Sequence, residues 1–271
     1  MRGRLFAALV LLAAASAGVA LLTLGRGAAA DDAPTAAPAP VAGRAGETRP
    51  RPVRVPACAP GAVVSLGNGR IAYAARVRSR VTAFRAPGRR PFARFGRLNV
   101  NRVPTVLGVL GARLDARCRP AWYRVQLPLR PNGVDGWVRA DAVATRIVHA
   151  RIVVDLSERR VTLFRDGVPR LVAIAAIGSP STPTPVGRYY VNQKLVAPDP
   201  LGPFGPVALG ISAFSPVLES WAQGGPIAIH GTNEEGLLGG AVSHGCVRVR
   251  NEEVLRLWRL APTGTPVLIR M

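Results

Sequence analysis

Short β-rich runs, each cut off by Gly, Pro or Asn, make up almost all of the chain from residue 57 onward. This punctuation constrains the fold more than any other feature of the sequence. Glycine and proline end helices and are confined to turns, bulges and edges of sheets, so long helices are excluded and a mainly β architecture is expected. Runs of this type lie at 62–64, 71–81, 104–110, 122–129 and 136–143, then at 152–156, 161–164 and 171–177, with Asp166-Gly167 as a hairpin turn. A single segment has helical period. Asn251 is placed to cap it, Glu252 and Glu253 lie in its first turn, and Val254, Leu255, Leu257, Trp258 and Leu260 follow before Pro262 and Gly264. A last strand at 265–270 closes the chain.

The 271 residues are 48% hydrophobic, enough for one or two domains with their own cores and too apolar for a disordered chain. Residues 5–24 form one apolar run behind Arg2 and Arg4. Small residues and Asp31-Asp32 follow it. This pattern reads as an export signal at 1–30, with an uncleaved membrane anchor as the other reading because the run exceeds the usual signal length. Six prolines in residues 31–56, with no aromatics and no periodicity, describe a semi-extended linker. The remainder divides into a first module at 57–145 and a second at 146–271. The formal charge of +21 is unevenly spread, +13 falling on the first module and +4 on the second. Lys194 is the one lysine, so the charge is almost all guanidinium and does not titrate at cellular pH.

The chemistry concentrates in seventeen residues. His230-Gly231-Thr232-Asn233 ends an apolar run that reads as a buried strand, and Ser243-His244-Gly245-Cys246-Val247-Arg248 follows a Gly-rich loop. An isolated thiol with a pKa of about 8.5 is only roughly 3% ionised at neutral pH. A partnered imidazole that lowered it by about two units would raise that fraction to roughly three quarters, and the ring could later protonate a leaving amine. Gly245 would let the backbone approach a carbonyl, with the amides around Gly245 and Cys246 as an oxyanion hole.

These residues carry a resemblance. Together with Val154-Asp155-Leu156-Ser157 and with Thr182-Pro183-Thr184-Pro185-Val186-Gly187, the two motifs resemble the signature of the L,D-transpeptidase catalytic domain, the YkuD type. The resemblance implies a β-rich sandwich or barrel with one late helix, acting on peptidoglycan stem peptides without cofactor or metal. It implies Cys246 as nucleophile, His230 as proton acceptor and donor, and the Gly231 carbonyl as the group that orients the ring. It gives His244 a secondary role, assigns Gly245 to the oxyanion hole, and places Ser243, His244 and Arg248 near substrate. Arg248 stands where many members have Asn. Trp122 to Pro128 and Gly133 to Val138 resemble the end of a bacterial SH3-like barrel, which makes the first module a small wall-binding β-barrel.

Several competing readings are weaker. Zinc held by His230, His244 and Cys246 is disfavoured, because His244 and Cys246 are too close in sequence for comfortable joint ligation and no fourth ligand is evident. In an oxidising compartment Cys58 and Cys118 are expected to pair, leaving Cys246 free. Arg85, Arg89, Arg90, Arg94 and Arg97, interleaved with Phe92 and Phe95, could face nucleic acid, but an exported protein points them at anionic wall polymers instead. Glu234 and Glu235 read as solvated loop acids, and His149 as structural. The expected activity is formation of 3→3 cross-links through a Cys246 thioester, with release of D-alanine from a tetrapeptide stem. An L,D-carboxypeptidase and a non-catalytic wall-binding protein are the alternatives.

Overall fold

Gly, Pro and Asn mark chain reversals in the folded protein as they do in the sequence. The computed structural model describes residues 59–271. The expected leader, linker and Cys58 lie outside them. The protein is mainly β, with one α-helix among the described residues. None of its helices there is long and apolar enough to cross a membrane.

The first lobe contains β1 (Val63–Ser65), β2 (Ala72–Val77), β3 (Arg80–Phe84), β4 (Pro91–Gly96), β5 (Val106–Leu114), β6 (Pro120–Gln126), β7 (Asp135–Arg139) and β8 (Val143–Val148). They hydrogen-bond in the order β4-β3-β7-β6-β5-β2-β8, with β1 added to β5. Ala75, Val77, Val81, Leu107, Val125, Leu127 and Val138 fill its core. The run at 71–81, read as one strand, is two, because the chain turns at Arg78 and Ser79 without a glycine. The guanidinium of Arg78 secures that turn by donating to the Val143 carbonyl at 3.0 Å.

The second lobe contains β9 (Ala150–Asp155), β10 (Arg160–Arg165), β11 (Val168–Ile174), β12 (Ile177–Gly178), β13 (Gly187–Val196), β14 (Val207–Phe214), β15 (Pro226–His230), β16 (Ala241–Ser243), β17 (Val247–Arg248), α1 (Asn251–Leu260) and β18 (Pro266–Arg270). Eight of these strands form a sheet ordered β11-β10-β9-β18-β13-β14-β15-β17, and β12 pairs with β16. The hairpin at Asp166-Gly167 joins β10 to β11 as expected. The turn uses positive φ at both residues, 52° and 84°. Pairing of β15 with β17 is parallel, and α1 connects β17 to β18, which lies parallel to β9. The helix buries Val254 and Leu257 in the core.

The helix cap lies one residue earlier than expected. Arg250 is the N-cap, and its backbone N–H donates to the Glu253 carboxylate at 3.1 Å. Asn251 instead turns its side-chain oxygen away, accepting from the Thr232 amide at 2.9 Å.

The two lobes pack as one compact unit. Gly108 on β5 lies against the Tyr190 ring on β13, where a Cβ would come within 2.8 Å of the ring. Gln126 donates to the Arg188 carbonyl at 2.6 Å. Asn132 brackets Phe214, accepting from its amide at 2.9 Å and donating to its carbonyl at 2.8 Å.

Candidate active site

Strand register brings the two motifs together. Because β15 and β17 run parallel with Ile229 opposite Val247 and His230 opposite Arg248, Cys246 comes alongside Ala228. Ala228 and His230 share one face of β15, since side chains alternate. Ile227 and Ile229 take the other face into the core. The result is a cavity of about 170 Å³ whose lining includes Phe204, Trp221, His230, His244, Cys246 and Arg248.

His230 is 2% exposed, and its Nδ1 lies 2.6 Å from the Gly231 carbonyl. A carbonyl only accepts, so Nδ1 carries the proton and Nε2 is left with a free lone pair. Phe204 flanks the ring at 5.0 Å between centroids. Burial, opposed by the Gly231 carbonyl and aided by the Arg248 charge, pushes the imidazole down to about 4. The ring is therefore neutral at physiological pH.

Cys246 is the free cysteine among the described residues, and it is partly buried. Burial pushes its thiol up from the ordinary value; the Ala228 backbone and the Arg248 charge act in the opposite direction without overcoming it. Here the expectation of a lowered thiol fails. In the folded protein the pair rests as neutral thiol and neutral imidazole, because both groups are withdrawn from water and desolvation disfavours each charged form. Among the described residues no hydrogen bond joins the two side chains.

The Ser243–Cys246 turn is held from within and from outside. Ser243 is buried; its hydroxyl donates to the Cys246 carbonyl at 2.5 Å and accepts from the Gly245 amide at 3.1 Å. Two expectations change accordingly. The Gly245 N–H, expected as an oxyanion donor, is engaged by the Ser243 hydroxyl, and that hydroxyl, expected near substrate, is engaged within the turn. Among the described residues the Cys246 N–H carries no hydrogen bond. Gly245 itself sits at φ 110°, a conformation that explains why glycine stands there. From outside, Thr184 donates to the Gly245 carbonyl at 2.9 Å while accepting from the Gly178 amide at 2.8 Å, and Thr182 donates to the Ser243 carbonyl at 2.9 Å.

His244 is exposed and lies against Trp221, with centroids 5.1 Å apart. Arg248 reaches Glu234 at 2.8 Å, and Arg250 reaches Glu235 at 2.9 Å, so both glutamates have partners that the sequence did not indicate. Among the described residues the buried Nε of Arg248 has no partner. His149 lies 2.6 Å from Asp166 at the start of the second lobe, away from the cavity. Among the described residues, no three His, Cys, Asp or Glu side chains gather where they could hold a metal ion. Sequence reading missed Ala228, Thr182, Thr184, Asn251 and Trp221. The two threonines stand inside the Thr182–Gly187 motif, but their partners are about sixty residues away.

The family model for the L,D-transpeptidase catalytic domain, YkuD, matches residues 149–269. A Bacillus licheniformis protein described as L,D-transpeptidase YkuD is 37% identical over 120 residues, covering 44% of this chain and 64% of that protein. The Bacillus subtilis protein described as L,D-transpeptidase YqjB is 30% identical over 128 residues, covering 44% of this chain and 69% of that one. Among solved structures, an Enterococcus faecium L,D-transpeptidase is similar at 25% identity and a TM-score of 0.36, over 45% of this chain and 49% of that one.

Proposed function

The chain belongs to the YkuD-type L,D-transpeptidase family, and we propose that it cross-links peptidoglycan stem peptides through a Cys246 thioester. The observation that carries this reading is the shared cavity, whose lining includes both Cys246 and a His230 ring with a bare Nε2.

Because the resting pair is neutral, proton transfer and attack are coupled. As Cys246 Sγ adds to the carbonyl carbon of the third residue of a tetrapeptide stem, its proton passes to His230 Nε2. The developing oxyanion is met by the Cys246 N–H, which is not otherwise engaged among the described residues. Collapse breaks the C–N bond, and the nitrogen of D-alanine leaves with the proton from Nε2, giving a thioester. An amine from a second stem then attacks the thioester carbonyl. The C–S bond breaks, the amine's proton passes by way of His230 to the sulfur, and the 3→3 link is formed. The Gly231 carbonyl holds the ring in one tautomer throughout. Arg248, 17% exposed at its side chain and facing the same cavity, supplies positive charge for the terminal carboxylate of the departing D-alanine. His244, held against Trp221, forms the mouth through which that stem enters.

Residues 57–145 act as an SH3-like wall-binding module. Arg85, Arg89, Arg90, Arg94 and Arg97 are all exposed, and none of them forms an ion pair among the described residues. Such an unpaired cationic surface suits anionic wall polymers. The leader directs the chain out of the cytoplasm, where these polymers lie.

The test is incubation of the full chain with tetrapeptide-containing muropeptides, read by mass spectrometry. A cross-linked dimer that has lost D-alanine is expected from the native protein and no product from Cys246→Ala. Trimmed tripeptide without dimer would instead indicate carboxypeptidase activity, and turnover undiminished in Cys246→Ala would overturn the thioester altogether.

A further inference from the structure

Cys246 lines two cavities. The first, on the His230 side, contains Arg248 and His244. The second, of about 310 Å³, is lined by Ala228, Ile227 and Cys246 among others, and none of its lining residues is charged. Asn101, Gln193, Gln223 and Pro226 separate this second cavity from a third, of about 430 Å³, that runs between the lobes. Asn101 belongs to the first lobe, in the loop between β4 and β5.

The amides on this wall bind one another across the lobe boundary. Gln193 is 7% exposed, and its oxygen accepts from Asn99 at 2.8 Å and Asn101 at 2.9 Å. Gln223 donates to the Asn101 oxygen at 2.9 Å, and Asn101 returns a longer contact of 3.4 Å. This set is incompletely satisfied. Among the described residues the buried side-chain oxygen of Asn192, adjacent to Gln193 and on the third cavity's lining, has no partner. Gln223 is also held at φ 58°, a region that favours glycine, in the loop that carries Trp221. A buried amide oxygen without a partner costs free energy unless a ligand completes it.

Resting on the acyl-transfer reading, we propose that the first lobe forms part of the second substrate's site. The amine-bearing stem peptide lies in the second cavity, its backbone held by Asn101, Gln193 and Gln223, and its amine reaches the thioester from the Ala228 side. Side-chain amides present the same donor and acceptor groups as a peptide backbone, so they can exchange their mutual bonds for bonds to substrate. The absence of carboxylates from the second cavity's lining favours the amine as its free base, the form that attacks a thioester. The first cavity, with Arg248, suits the other stem, whose carboxylate leaves. A first lobe built this way does more than tether the enzyme, because without Asn101 the cleft loses one wall.

The experiment measures how the thioester partitions between amine and water. The full chain is given a tetrapeptide stem as acyl donor and a second stem as amine, and dimer and trimmed tripeptide are quantified together. Their ratio is independent of how fast Cys246 is acylated. Asn101→Ala and Gln223→Gly, of which the second also relieves the positive φ, should each lower the dimer-to-tripeptide ratio about fivefold or more. Arg80→Ala, on the exposed end of β3, should keep the native ratio. Native ratios in both amide variants, with unfolding midpoints unchanged, would overturn this proposal while leaving the thioester chemistry intact. A native protein that is acylated but yields tripeptide alone would also overturn it, and one never acylated at Cys246 would overturn the proposed function as well.

Discussion

The depressed basicity of His230 gives the sharpest quantitative test of the site. The imidazole is 2% exposed and is pushed from an ordinary 6.5 to about 4, chiefly because burial disfavours its charged form. The unfolded chain takes up a proton near pH 6.5, whereas the folded protein resists it down to about pH 4. Stability from the neutral buried ring is therefore complete above about pH 6.5 and is lost as pH falls toward 4. A shift of this size corresponds to about 3 kcal/mol across that window. The perturbation is His230→Gln, which removes the titrating group. Urea unfolding of the native chain and the variant, in steps from pH 7.5 to pH 4, gives the difference in stability at each pH. That difference should change by about 3 kcal/mol, the native protein losing stability relative to the variant as pH falls. A difference that stays constant over the range would show that the ring titrates normally, and the neutral resting pair would have to be abandoned. The same reasoning places the acidic limb of activity below that of an ordinary histidine.

Because burial pushes the Cys246 thiol upward, alkylation of Cys246 by iodoacetamide, followed by peptide mass spectrometry, should keep accelerating through pH 9. A plateau by pH 7 would reveal a preformed thiolate. Thr184→Val keeps the shape of the side chain but strands the Gly178 amide and the Gly245 carbonyl, so it should cost about 1–3 kcal/mol in urea unfolding and slow acylation of Cys246. Native acylation in that variant would remove Thr184 from the support of the turn. At the lobe interface, Gly108→Ala places a Cβ 2.8 Å from the buried Tyr190 ring and should destabilise by about 1–3 kcal/mol, read as a fall in unfolding midpoint; an unchanged midpoint would mean that the lobes separate freely there.

Much of this protein is written in local pattern. Alternating β runs, the Asp166-Gly167 hairpin and the lone amphipathic helix were legible because each depends on residues within a few positions of one another. That His230 and Cys246 line one cavity was legible for a different reason, since a thiol, an imidazole and flanking glycines at that spacing have few other uses. The details that tune the site were not. Asn251 is a good cap by local rules, yet it is drawn off to the Thr232 amide nineteen residues away. Ser243 was read as a substrate contact, and only the folded turn shows its hydroxyl committed to Gly245 and Cys246.

Sequence by itself determined the fold class through local propensity and the family through its motifs, because neither needs knowledge of distant partners. Tertiary structure alone decided the protonation state of His230 and Cys246, the groups that brace them, and the entry of Asn101 into the wall of a cleft that reaches Cys246. Burial sets the first, strand register the second and the packing of the two lobes the third. Each arises from residues far apart in the chain that meet only when it folds.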